Sequence, residues 1–232
     1  MMGYDDQGPI IQEQAHVSTN DLLTKVFFRM FLGLLTTALV AAYTYYSGLL
    51  INIVESGGFF GIIIAELVVA FAFSLGFRKF SAGTVSVLFF IYSALTGVTF
   101  SSIFVVFELE SIAYAFLGTA AVFGVMAYIG KTTKRDLTNM GTILMVSLFV
   151  AIIVSVINLF VGNSMLDIIL DWVIIAIFMG FTVYDMNKII RLQDEGFTDD
   201  AHLYVYGAME LYLDFINLFI RILQIFGRVR RD

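Results

Sequence analysis

The sequence predicts an all-α membrane protein, a seven-transmembrane helix bundle with the last helix central. Three observations predict it. Hydrophobic residues make up 59% of the 232 and charged residues only 14%, where a soluble chain carries about 25% charged residues. Apolar runs of about 20 residues, enough to cross a bilayer core, recur seven times along the chain. The last run carries ionisable residues on one stripe, so it cannot face lipid all round.

Composition also excludes several kinds of function. Mean hydropathy is +0.91, and there is too little polar surface to cover a water-soluble globule. Aromatic residues at 16%, with 24 Phe, suit a lipid-facing exterior. A net charge of -6 argues against nucleic acid as a partner. With no cysteine there are no disulfides, thiolate metal sites or cysteine nucleophiles, and two histidines cannot build a histidine metal cluster.

The chain opens with a polar, acidic tail over residues 1–25 that contains the one proline, Pro9. It lacks the basic start and short apolar core of a cleavable signal peptide. A single transmembrane domain is expected over residues 26–228, followed by a basic tail at 229–232. Its spans are expected at Met30–Leu50, Gly58–Phe77, Ala82–Phe107, Ser111–Gly130, Thr142–Val161, Leu166–Ile190 and Leu203–Phe226. The short connections favour antiparallel neighbours in one bundle.

Basic residues set the expected orientation. Lys25 and Arg29 precede the first span. Arg78, Lys79, Lys131, Lys134, Arg135, Lys188 and Arg191 fall in alternate connections or beside them, and the intervening connections have none. The amino terminus is therefore expected in the cytoplasm. Seven crossings place Arg228, Arg230 and Arg231 outside, against the same rule; a full crossing is the preferred reading over a segment that dips in and returns. The outer side carries Glu55, Glu108, Glu110, Asp167 and Asp171 with no basic residue in its connections. It reads either as an acidic mouth that concentrates cations or as ordinary loop acids.

An ionisable group within a span costs roughly 2.5–3.5 kcal/mol on insertion scales, which makes each one a functional candidate. Here these are Glu66, Asp185, Glu210, Asp214 and Arg221. Glu210, Asp214, Asn217 and Arg221 fall within an arc of about 60° on the last helix. Arg221 either pairs with Glu210 or Asp214 to hold register, or leaves an excess of acid available for function. Asp185 either pairs with Lys188 or Arg191, or works with the last helix. Glu66 has no local partner, because Arg78 lies about 18 Å further along the axis. Depth estimates pair Asp185 with Glu210 and Asp214 with Glu66, without excluding Asp185 beside Asp214.

The run Gly207-Ala208-Met209-Glu210-Leu211-Tyr212-Leu213-Asp214-Phe215-Ile216-Asn217-Leu218-Phe219 resembles the final-helix signature of the Bax inhibitor-1 (transmembrane Bax inhibitor motif) family. Its pattern is a small residue followed by L-Y-x-D-x-x-N-L-F. The segment Phe181-Thr182-Val183-Tyr184-Asp185 resembles the family's Y-D motif, and Glu66 with Arg78 is similar to its second-helix acid and basic terminus. The resemblance covers nearly the whole chain and looks bacterial, although Glu210 and the C-terminal arginines match no family position. It implies a pH-sensitive calcium leak channel, with Asp185 and Asp214 as the pH sensor and a transient calcium site. Glu66 would line the ion path and Arg78 would hold the cytoplasmic gate.

The residues themselves add Glu210 to the path and Arg221 to an ion pair. Two carboxylates in low dielectric do not both ionise readily, so such a pair titrates as a unit. No resident cofactor and no enzymatic activity are expected. The expected partners are the lipid bilayer, calcium ions and protons, with at most a weak homo-oligomer. A proton-coupled cation exchanger or a non-conducting regulatory protein would use the same acids. An intramembrane aspartyl protease matches poorly, since the glycines and proline expected around its second aspartate are missing.

Overall fold

The structure, a computed structural model, describes residues 18–77, 79–196 and 199–230. The described residues form an all-helical bundle. Its helices are α1 (Thr19–Tyr46), α2 (Leu49–Glu55), α3 (Gly58–Gly76), α4 (Ala82–Phe100), α5 (Ile103–Val106), α6 (Leu109–Thr132), α7 (Thr138–Val161), α8 (Ser164–Asp194) and α9 (Asp200–Phe226).

Local chemistry sets the boundaries. Ser18 caps α1 by accepting the Asp21 backbone N–H, while its hydroxyl donates to the Asp21 carboxylate at 2.7 Å. This box starts the helix well before the apolar run, so residues 19–25 of the polar tail are helical. Ser81, Asn163 and Asp199 cap α4, α8 and α9 in the same way. The third expected span is broken between α4 and α5. There the Ser101 and Ser102 hydroxyls bond the Val98 and Thr99 carbonyls at 2.6 and 2.8 Å and compete with the helical ladder.

Among the described residues, six stretches are long and apolar enough to cross a membrane: α1, α3, α4 with α5, α6, α7 and α8. They define a multi-pass membrane protein. The central element is α9, which packs against α1, α4, α6 and α8. Its charged residues keep it from matching the others in hydropathy, yet it runs the length of the bundle. At one end Lys25 Nζ donates to the Tyr204 hydroxyl at 3.1 Å. At the other, the backbone after α9 pairs antiparallel with the α5–α6 connection. Glu108 N–H donates to the Arg228 carbonyl at 3.1 Å, and Arg230 N–H to the Val106 carbonyl at 2.9 Å. Twenty-seven residues of helix give a length of about 40 Å.

Burial follows from these positions. Leu211, Tyr212 and Leu218 of α9 are fully enclosed. By contrast, α3 packs on α4 and α7 on α8 at the periphery, presenting Phe60, Phe71, Leu75, Phe149 and Phe160 outward. In a bilayer these side chains meet acyl chains, while the helices satisfy their own backbone hydrogen bonds.

Candidate functional site

The polar stripe of α9 faces α8. Asp214 (3% exposed) and Asp185 (4% exposed) are the buried carboxylates of the described core. With Glu210, Asn217, Tyr184 and Lys188 they line one cavity of about 350 Å³. Asp214 lies within electrostatic reach of Asp185, Glu210 and Lys188, with the Thr182 side chain nearby. Asp214 Oδ2 is buried without a hydrogen-bond partner.

Three features hold this geometry. Thr182 turns its hydroxyl back to the Phe178 carbonyl at 2.9 Å, which satisfies this buried hydroxyl one turn before Asp185. Gly130 lets α6 approach α8 beside the site: a Cβ there would stand 2.5 Å from the Val183 carbonyl oxygen and 2.8 Å from Met186 Cβ. Tyr212 anchors the opposite face of α9, bonding the Thr37 hydroxyl of α1 at 2.7 Å. Thr37 in turn bonds the Ser93 carbonyl of α4 at 2.9 Å.

The cavity opens toward the basic end. It shares Met145, Lys188, Glu210 and Leu213 with a larger cleft of about 750 Å³ between α3 and α7. Lys188 Nζ stands 3.9 Å from the Glu210 carboxylate and 5.1 Å from the Tyr206 ring centroid. The Tyr206 side chain lies within electrostatic reach of Glu210. Lys188 thus takes Glu210, rather than Asp185, as its ion-pair partner within 4 Å among the described residues. Arg191 pairs with Asp136 at 3.7 Å.

Glu66 belongs to a separate cluster. It is half-buried and accepts a hydrogen bond from Thr99 at 2.7 Å, with Tyr92 and Tyr212 within electrostatic reach. The depth estimate set Glu66 beside Asp214; in the fold Glu66 bonds Thr99 of α4, and the charged groups acting on Asp214 are Asp185, Glu210 and Lys188. Arg78 lies outside the described residues.

The acidic end also departs from expectation. Arg221 pairs with Asp171 at 2.8 Å, not with Glu210 or Asp214, and donates to Gln224 as well. Asp171 is therefore neutralised. Asp167 sits in the first turn of α8, bonded by the Asn158 side chain, where an acid complements the helix N-terminus. Arg228 shares a cavity with Glu108 and Glu110. This end holds acids and bases together, because α9 delivers its arginines there.

Spacing within one helix marked the acids but missed Thr182, Thr99 and the Tyr212–Thr37 bond. A lone hydroxyl residue in an apolar run carries no signal of which helix it will meet. Among the described residues, no three His, Cys, Asp or Glu converge tightly enough to hold a metal ion. The arrangement can store a proton and attract a cation in passing.

Fold and site together define a multi-pass helical membrane protein with buried carboxylates where its last two helices meet. A sequence profile described as inhibitor of apoptosis-promoting Bax1 matches residues 19–231. The chain is similar to the inner membrane protein YbhL of Escherichia coli K12, at 39% identity over 95% of this chain and 96% of that protein. It is also 37% identical to an uncharacterized protein of Borreliella burgdorferi, over 95% and 97% of the two chains. An uncharacterized membrane protein of Streptococcus pyogenes serotype M1 is 34% identical over 94% and 97%. The chain belongs to the Bax inhibitor-1 family.

Proposed function

We propose that this chain is a pH-sensitive calcium leak channel of a bacterial inner membrane, with its basic end in the cytoplasm. The observation that carries the reading is the Asp185–Asp214 pairing: two buried carboxylates on packed helices beside one cavity, one oxygen left without a partner. Such a pair holds a proton between its members, and losing that proton places a negative charge where a cation can pass. The family resemblance assigns the same two residues as the sensor. Asp185, Asp214, Glu210 and Asn217 offer hard oxygen ligands, but fewer than the six to eight that Ca²⁺ takes. Waters complete the shell, and a weak site suits conduction, because the ion must also leave. Lys188 on Glu210 tempers the charge at the cavity's mouth, and Glu66 lines the neighbouring α3–α4 face.

The test is calcium flux into liposomes carrying the purified protein, between about pH 6 and 8. Wild-type flux is expected to change several-fold across this range. Asp185→Asn and Asp214→Asn should each give a flat profile. Two variants that keep the wild-type profile would overturn the sensor assignment. Saturable flux driven by a proton gradient would instead make the protein an exchanger.

A further inference from the structure

A second cavity system lies on the far side of α9 from the carboxylates. In the half of the bundle toward the acidic end, α1 packs on α2, α4 and α9, while α6 packs on α8 and α9. Between α1 and α6 a cleft of about 490 Å³ remains, with an almost wholly apolar lining. Its walls include Leu34 and Ala38 of α1 and Ala113 of α6, and its floor is Phe215 and Phe219 of α9. From Leu34 to Ala41 the apolar slot extends about 10 Å along the helix axis, enough for the upper part of an acyl chain in one leaflet.

The cleft does not end blindly. Phe104 and Leu109 also line an adjoining cavity of about 370 Å³, together with Tyr45, Tyr46, Glu108 and Arg230. Here the surface changes character. Arg230 is held in place by backbone pairing of its strand with Val106–Glu108, and its guanidinium donates to the Tyr45 hydroxyl at 2.9 Å. Glu108 is fixed by the same pairing. One base and one acid thus stand over the mouth of an apolar slot, flanked by two tyrosines at the level where aromatic side chains anchor in the headgroup region.

We propose that this composite groove is a binding site for a zwitterionic aminophospholipid of the bilayer. One acyl chain lies in the α1–α6 cleft, the phosphate faces Arg230 and the primary ammonium faces Glu108. The charge pattern selects the occupant. A single guanidinium matches one phosphate, and the Glu108 carboxylate in the same cavity favours a head group that brings an ammonium to meet it. A primary ammonium donates hydrogen bonds to Glu108. Phe215 follows Asp214 directly and stands about 100° around α9 from it, so the lipid chain would rest one residue from the site.

The full-length protein in mild detergent, offered equal amounts of phosphatidylethanolamine and phosphatidylglycerol, tests this by native mass spectrometry. Several-fold more protein carrying phosphatidylethanolamine is expected. Ala38→Trp combined with Ala113→Trp should abolish retention of both lipids. Arg230→Gln, at an exposed position, and Glu108→Gln, at the N-cap of α6 but with no side-chain capping bond to lose, should remove the preference while the thermal midpoint stays unchanged. Equal retention of the two lipids, a preference for phosphatidylglycerol, or a preference that survives both head-group variants would overturn the proposal.

Discussion

Two ionisable side chains on α9 sit in opposite circumstances. Asp214 is enclosed with an oxygen left unbonded, whereas His202, at the basic end ahead of the apolar run, has both ring nitrogens engaged. Nε2 donates to the Phe80 carbonyl at 2.8 Å, and Nδ1 meets the Asp199 carboxylate. The clasp ties the start of α9 to the α3–α4 connection. The bond to Phe80, and then Asp199, hold the His202 pKa above its ordinary 6.5. The His202 backbone N–H, and then its ring, hold Asp199 below its ordinary 3.8. The His202 contribution is therefore complete below pH 6.5 and is lost as pH rises through its folded-state value. The Asp199 contribution is present above pH 3.8 and is lost as pH falls. Hydrogen exchange of the α3–α4 connection should be faster in His202→Gln than in wild type near about pH 5.5, with the two converging near about pH 8.5. Equal protection at the lower pH would show that the clasp does not hold this connection. None of this was legible in the sequence, where His202 is an isolated residue in a polar loop and Phe80 contributes only its backbone.

At the scale of the element, the stripe on α9 was legible because it is written in one helix at 3.6-residue spacing. Its partner was not. Arg221 reaches Asp171 and Glu210 reaches Lys188 because α8 and α9 run antiparallel in one register, and register depends on side-chain packing that single-helix spacing does not encode. Glycine is part of that packing. At Gly130 a Cβ would press on the Val183 carbonyl oxygen at 2.5 Å, and backbone does not yield as a flexible side chain does. Gly130→Ala should therefore separate α6 from α8 and destabilise the protein by about 1–3 kcal/mol. Gly124 lies on the same helix with nothing within 4 Å of the place an added methyl would take, so Gly124→Ala should be neutral or slightly stabilising through helix propensity. Thermal melts of both variants in detergent make the comparison. A Gly130→Ala midpoint at or above that of Gly124→Ala would remove close α6–α8 approach as the reason for this glycine. Because Gly130 stands beside Met186, next to Asp185, its variant should also blunt the pH response of flux before the protein unfolds.

Across the whole molecule, apolar run length carried most of the fold, since a helix in lipid must satisfy its own backbone and needs about 20 residues to span. The path of the last segment was harder. Its arginines argued against a seventh crossing, while its stripe argued for a central helix. In the structure α9 runs from one end of the bundle to the other, with Tyr204 against Lys25 at one end and the Phe107–Val229 bridge at the other. If packing against four helices outweighs the pull of late charges toward the cytoplasm, α9 crosses and its arginines lie outside. The absence of cysteine makes this directly measurable. Single replacements Lys134→Cys, Glu55→Cys and Val229→Cys place one thiol each at the basic end, the acidic end and the chain's last bridge, where Val229 is 60% exposed. In intact cells a membrane-impermeant maleimide should modify Glu55→Cys and Val229→Cys, and should reach Lys134→Cys only after permeabilisation. If Val229→Cys behaved like Lys134→Cys, α9 would not cross, and the arginines above the α1–α6 cleft would lie on the wrong side of the membrane.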